Sequence, residues 1–239
     1  MWIRTKPDNI LEKESNIDNL NFLYEENNIY VMDNHLAAGW CWLQRLEPDA
    51  EYDFFHIDRH NDLLCNAPLE YYNFLSQNPR ISLDNYTGLE FQSSGQMLKV
   101  FQWDNYIKQI HFLFPRWFNE CYFSTHDLSV YDNNPEFTKR LNIKYVCSPL
   151  ELYNNIAYWL CQSSKKWIFN FDLDYFFDDQ GMQIFTDEYI RSVAHEINSS
   201  IDRIEVLTIA LSPECCGDWK LSFRVFNIVA EELGIQLRL

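Results

Sequence analysis

Basic residues are scarce in this sequence. Its 19 Lys and Arg stand against 35 Asp and Glu, a formal charge of -16 at pH 7, so nothing is left over to neutralise phosphates and nucleic acid is excluded as a partner. The long-range field of such a chain favours a cationic substrate, a guanidinium or an amine, although most of the charge reads as a solvated acidic surface. No Cys-x-x-Cys pair occurs among the 7 cysteines, at positions 41, 65, 121, 147, 161, 215 and 216. Their odd number and irregular spacing fit neither a disulfide framework nor a zinc ribbon, which leaves them as reduced, small apolar residues. The opening Met-Trp-Ile-Arg-Thr-Lys-Pro-Asp-Asn lacks the apolar stretch of a secretory signal. No later run approaches the roughly 20 apolar residues that cross a bilayer, so the expectation is a cytoplasmic protein with no membrane partner. Internal repeats and low-complexity tracts are missing as well.

What is present is material for one compact domain. The 239 residues are 47% apolar and 17% aromatic, enough to bury a substantial core, and one catalytic domain spanning 1–239 is expected. Short apolar runs alternate with helical periodicities. Strands are predicted at 29–32, 53–57, 143–147, 167–173 and 204–210. Helices are predicted at 35–46, from Pro149 to about 162, from 187 after a Thr186 cap to about 198, and from about 219 to 233 with Gly234 at its left-handed end. This alternation implies an α/β fold, a mostly parallel sheet flanked by helices, with ligands bound beyond the carboxyl ends of the strands. Residues 65–140 are poorly periodic and rich in Tyr, Phe, Trp and Asn, with Ser93-Ser94-Gly95 and several prolines; they read as helices and loops over the sheet that form a substrate cleft.

Metal-affine side chains fall where those strands end: His35, then Asp58, His60 and Asp62, then Asp172 and Asp174. Acids that follow apolar runs have little room to be solvated, and divalent cations are the natural compensation for carboxylates held there. Carboxylates with one imidazole per ion suit manganese, and less specifically iron, cobalt or zinc, while a cluster without cysteine is not a structural zinc site. Asp58 and Asp172 can each span two ions held roughly 3.5 to 4 Å apart, with a water between them activated as hydroxide near neutral pH. A lone Asp-x-His or Asp-x-Asp usually marks a turn; three such groups in order after three apolar strands point to a metal site.

The motifs Asp-Asn-His-x-x-Ala, His-Ile-Asp-Arg-His-Asn-Asp, Asn-Phe-Asp-Leu-Asp-Tyr-Phe and Leu-Ser-Pro-Glu resemble the ureohydrolase superfamily of arginases and agmatinases. They are most similar to its divergent peptide arginase branch, once called an uncharacterised protein family, which converts arginine side chains of ribosomally made precursor peptides to ornithine. The resemblance runs from about residue 29 to the C-terminus. It implies a three-layer arginase-like fold and two Mn2+ per chain, one held by His35, Asp58, Asp62 and Asp172, the other by Asp58, His60, Asp172 and Asp174. It implies that Glu214 anchors the guanidinium and that urea is released. The grip that small-molecule arginases place on free α-amino and α-carboxyl groups has no counterpart here, which fits an arginine inside a peptide. No motif matches the proton-shuttling histidine; His126 in Ser-Thr-His-Asp is the candidate, with His111 in more apolar company as a core residue.

Other readings stay open. Glu214 is alternatively a helix-initiating acid near the last helix dipole, although Asp218 as N-cap frees it for substrate. His56 reads as a satisfied core histidine, Asp178 and Asp179 as a loop, and Cys215 and Cys216 as structural, having no basic neighbour in sequence to lower a thiol pKa. The substrate alternatives are agmatine, free arginine or an acylated amine as in the related deacetylases, whose adjacent histidine pair this chain lacks. A non-catalytic peptide-binding module stabilised by metal is the alternative outside enzymes. The oligomeric state is open.

Overall fold

The computed structural model describes residues 1–64, 75–77, 80–126 and 141–239. Cys65 and the remaining parts of 65–140 lie outside the described residues. An eight-stranded sheet runs through the molecule. Its strands are β1 (Trp2–Arg4), β2 (Leu23–Glu26), β3 (Ile29–Met32), β4 (Tyr52–Ile57), β7 (Cys121–Ser124), β8 (Ile143–Val146), β9 (Lys166–Asp172) and β10 (Ile204–Ala210), with a separate two-stranded hairpin of β5 (Glu90–Ser93) and β6 (Gln96–Lys99). Across the large sheet the order is β1-β2-β3-β10-β9-β4-β7-β8. From β3 to β8 every neighbour pair is parallel, and the β1-β2-β3 edge is antiparallel.

Parallel strands need both faces covered, and the side-chain alternation provides for this. In β9, Trp167, Phe169 and Phe171 pack into one core while Ile168 packs into the other; β10 divides Ile204, Leu207 and Ile209 from Val206 and Ala210 in the same way. One face carries α1 (Ala38–Arg45) and α3 (Tyr106–Leu113), with the short α2 (Leu83–Gly88) alongside through Tyr86. The other carries α4 (Pro149–Gln162), α5 (Asp187–Ser199) and α6 (Trp219–Leu233). The fold is thus α/β, with a large, mostly parallel sheet flanked by helices.

Local chemistry sets the helix ends. Ser148 and Glu151 form a capping box with Pro149 at the first position of α4, Thr186 accepts from the Tyr189 N–H at the start of α5, and Asp218 accepts from the Leu221 N–H at the start of α6. Gly234 ends α6 with φ 69°, the left-handed conformation that glycine adopts without Cβ strain.

One expectation is corrected. Residues 65–140 are not only helices and loops. Ser94 and Gly95 have φ 49° and 85° and close the β5-β6 hairpin, whose strands pair up to Ser93 and Gln96, the geometry of a tight turn with both central residues left-handed. The Cys-Tyr-Phe-Ser segment forms β7, an interior strand of the large sheet paired to β4 and β8. The stretch before residue 29 also contributes, as two strands of the antiparallel edge. No helix among the described residues is long and apolar enough to cross a membrane.

Candidate metal centre

Register decides where the acids meet. Met32 pairs with Ala210, Ala210 with Asp172, and Phe171 with Ile57, so four neighbouring strands end in one row. Asp172 stands in that row, Asp58 follows Ile57 by one residue, and His35 follows Met32 by three. Asn34 places His35: its side chain accepts from the Leu36 N–H at 2.8 Å and opens a short 3-10 turn, His35–Ala37, ahead of α1. Asp172 does the same for its partner, accepting from the Asp174 N–H at 2.9 Å at the head of the turn Leu173–Phe176. Asp62 is held at φ 52° and Ser212 at φ 42°, conformations that non-glycine residues adopt only where their surroundings enforce them.

The side chains converge. His35 Nδ1 lies 3.3 Å from Asp58 Oδ2, 3.2 Å from Asp62 Oδ2 and 3.3 Å from Asp172 Oδ2. His60 Nδ1 lies 3.4 Å from Asp58 Oδ1 and 3.0 Å from Asp174 Oδ2. Asp58 therefore presents one oxygen to each histidine. Two ion-sized groups form from the expected residues alone, His35 with Asp58 and Asp172, and Asp58 with His60 and Asp174, and a third joins His56 to Asp58 and Asp62; Asp62 also lies beside His35. All six side chains expected at the centre are brought together. Asp172 stands nearest the first group, its Oδ1 taking the Asp174 N–H and its Oδ2 the Ser212 hydroxyl at 2.5 Å.

Four buried carboxylates so close together cannot all ionise without compensation. Burial and the neighbouring Asp58 push Asp62 up to about 8. Asp172 is raised by burial and then by Asp174, and Asp174 by burial and Asp58. Burial raises Asp58 too, but its hydrogen bonds to His35 and His60 outweigh it and hold this carboxyl well below the ordinary range. The hydrogen bonds to Asp174 and Asp58 push His60 up to about 11. Burial draws His35 down, yet the facing Asp172, Asp58 and Asp62 carry it well above a free imidazole. Hard oxygen donors with one imidazole per group, desolvated and short of positive charge, fit divalent cations.

His56 also lies near Asp58 and Asp62. Both its nitrogens are occupied, Nε2 donating to the His60 carbonyl at 3.2 Å and Nδ1 accepting from Asn170 Nδ2 at 2.9 Å. Burial pulls it down to about 4. The geometry is that of a neutral, satisfied core histidine. Asn170 reaches further, to Tyr106 Oη at 2.9 Å and to within 3.2 Å of His35 Nε2, while its Oδ1 accepts from Thr208. This buried amide lies behind the His35 ring, its NH2 group beside His35 Nε2, His56 Nδ1 and Tyr106 Oη.

A cavity of about 340 Å³ opens over the carboxylates, lined by all six of these residues together with Asn61, Leu64, Trp103, Asp104, Ser212, Glu214 and Cys215. Glu214 is in its wall as expected, its Oε1 accepting from the Ser15 N–H, and Asp218 caps α6 in its place. Burial raises the Glu214 carboxyl above its ordinary value. Cys215 also faces this cavity, while Cys216 is buried with its thiol on the Leu211 carbonyl. His126 is not brought to the cavity. It is exposed, its Nε2 donates to the Tyr175 carbonyl at 2.8 Å and its ring packs on Tyr175 and Phe185, so the geometry does not support its assignment as proton shuttle. Trp103, Asp104, Ser212, Tyr106 and Asn170 were not singled out by sequence reasoning. Two of them carried a signal, Ser212 inside the Leu-Ser-Pro-Glu motif and Asn170 at the head of Asn-Phe-Asp-Leu-Asp-Tyr-Phe.

Comparison with known protein families and with characterised proteins finds no match to this chain.

Proposed function

We propose that this protein is a binuclear metal hydrolase that cleaves a guanidinium group, with an arginine side chain inside a peptide as substrate and urea and an ornithine side chain as products. The observation that carries this reading is the position of Asp58, whose two oxygens face His35 and His60 separately. A carboxylate shared in this way belongs between two cations. His35, Asp58, Asp62 and Asp172 would hold one ion, and Asp58, His60 and Asp174 the other, with Asp172 beside both; the donor set favours manganese. Two such ions supply Lewis-acid activation of water at neutral pH. The arginase-like three-layer architecture belongs to the same proposal.

The chain's own residues supply the rest. Glu214 offers a carboxylate to the N–H groups of the guanidinium, a match of planar donors to paired acceptor oxygens. Ser212 and the Asp174 N–H hold Asp172 in place. Leu64 and Trp103 supply apolar surface in the cavity wall. Water adds its oxygen to the guanidinium carbon, the bond to the side-chain nitrogen breaks, and that nitrogen leaves as the amine having gained a proton.

A cavity of about 340 Å³ is at the small end for ligand sites, roughly 300 to 1,000 Å³, which suits a single side chain; it also admits agmatine or free arginine. The test is to load the protein with manganese and supply free arginine, agmatine and an arginine-containing precursor peptide. Urea together with a loss of about 42 Da per arginine from the peptide supports the reading. Urea from the small compounds alone moves the assignment to a small-molecule ureohydrolase. Metal binding and peptide binding without urea from any substrate overturns catalysis and leaves a binding module.

A further inference from the structure

Two glycines touch beside the turn that carries Glu214. Gly217 follows Glu214 by three residues in the turn that leaves β10, and Gly181 belongs to the turn that follows β9. Both are left-handed, with φ 87° and 73°. A Cβ built on Gly217 would stand 2.8 Å from the Gly181 carbonyl oxygen, and one built on Gly181 would stand 2.6 Å from the Gly217 nitrogen and 2.7 Å from its Cα. Backbone therefore presses on backbone where neither residue carries a side chain, and any other residue at either position would force the turns apart.

Each turn is braced within itself, so a displacement at the contact is passed on. In the first, the Ser212 carbonyl accepts from the N–H groups of Cys215 and Cys216 at 2.9 and 3.0 Å, and the Cys216 thiol donates to the Leu211 carbonyl at 3.2 Å, which ties Gly217 to the same short turn as Glu214. In the second, the Asp178 carboxylate accepts from the N–H groups of Gln180 and Met182 at 2.9 and 2.8 Å, and the Asp178 N–H donates to the Met182 carbonyl at 2.9 Å. Arg59 anchors this second turn, its guanidinium donating to the Asp178 carbonyl and its backbone N–H to Asp174 Oδ1 at 3.1 Å. The turn after β9 is thus fastened to the strand ends that carry the acids, and Gly181 extends that fastening to the turn of Glu214.

We propose that Gly181 and Gly217 are positioning residues: the contact between their backbones sets where Glu214 stands over the cavity, and so how it meets the substrate's guanidinium. This rests on the guanidinium reading of the site and extends it to the residues that aim the anchoring carboxylate. A planar guanidinium presents its N–H groups in a fixed fork, so a small displacement of the Glu214 turn costs affinity although no group that touches the substrate is changed.

The test measures binding apart from turnover. Nα-acetyl-arginine amide is titrated by calorimetry into the manganese-loaded wild type, Gly181→Ala, Gly217→Ala, Glu214→Gln and the double variants that combine each glycine change with Glu214→Gln. Metal content, circular dichroism and urea release are recorded for each. Gly95→Ala is the control, because Gly95 has a matching left-handed φ of 85° but nothing within 4 Å of an added Cβ. Gly181→Ala and Gly217→Ala should keep fold and metal while binding the compound roughly tenfold more weakly, and Gly95→Ala should bind it as the wild type does. In the Glu214→Gln background either glycine change should cost almost nothing further, because a residue that acts through another is not additive with it; a merely structural weakening would add its full cost there. Full additivity, unchanged binding in both glycine variants, or loss of the fold in both overturns the positioning role. Weakening accompanied by lost metal overturns it too, since the turn after β9 would then have moved in place of the turn of Glu214. Non-additive binding with no urea from the wild type supports the contact and overturns the hydrolase reading alone. Failure of the metal-loaded wild type to bind the compound overturns both.

Discussion

The hydroxyl of Ser212 donates to Asp172 Oδ2 at 2.5 Å, joining the exit of β10 to the last residue of β9. Ser212 is held there at φ 42°, and the same Asp172 oxygen lies 3.3 Å from His35 Nδ1. A surface serine would have no reason to adopt this conformation. Here it orients the Asp172 carboxylate beside His35, and under the proposed metal binding Ser212→Ala should weaken manganese affinity by about 10- to 100-fold while the fold persists. Metal titration beside circular dichroism checks this; unaltered affinity would make the bond incidental.

Asp172→Ala should go further. It removes a buried donor shared by the row of strand ends, so the variant should neither retain its full metal complement nor release urea. Elemental analysis after gel filtration, with a urea assay on the same sample, decides it. Full activity at normal metal content would remove Asp172 from the centre.

Glu214→Gln should separate substrate binding from metal binding. Glu214 lines the cavity and belongs to none of the ion-sized groups, so both ions should remain while kcat/KM for an arginine substrate falls by at least about tenfold. Wild-type kinetics would return Glu214 to the structural role its bond to Ser15 also permits.

His126→Ala should leave kcat and KM within about twofold of wild type, as expected for an exposed side chain outside such features. A large fall in kcat with unchanged metal content would show that His126 reaches the substrate during turnover.

Without metal, stability should fall as pH rises, and the stabilisation by added metal should grow. Burial and Asp58 raise Asp62 to about 8, and Asp174 and Asp58 raise His60 to about 11. Both folded values exceed the unfolded ones, so each contribution is complete below the unfolded pKa and is lost as pH rises through the folded one. Chelator-stripped protein should therefore melt at lower temperature as pH is raised from about 7 to about 9. Bound metal replaces those protons, so the Tm gain on adding manganese should grow across the same window. A gain that shrinks with pH would contradict cation binding at these carboxylates.

The six residues gathered at the strand ends were legible because acids directly after apolar strands are desolvated as the strands pack, which makes a compensating cation the natural expectation. The end of α6 at Gly234 was legible because a left-handed residue after a helix favours glycine. Strand β7 was not. A four-residue run of Cys, Tyr, Phe and Ser carries no periodicity, and it becomes a strand because β4 and β8 offer hydrogen bonds on both sides. At the other edge β1 depends on a partner distant in the chain, Trp2 pairing with Tyr24, whereas β2 forms a local hairpin with β3 in which Glu26 pairs with Ile29.

The amino-acid order by itself determined the alternation of strands and helices and which donors gather at the strand ends, because these depend on local periodicity and on the cost of desolvating acids. Only the tertiary structure decided that Asp58 divides its oxygens between His35 and His60, that both nitrogens of His56 are taken, that His126 turns to Tyr175, and that Asp104 enters the cavity wall. Those outcomes depend on strand register and on contacts between residues far apart in the chain, which no local pattern encodes.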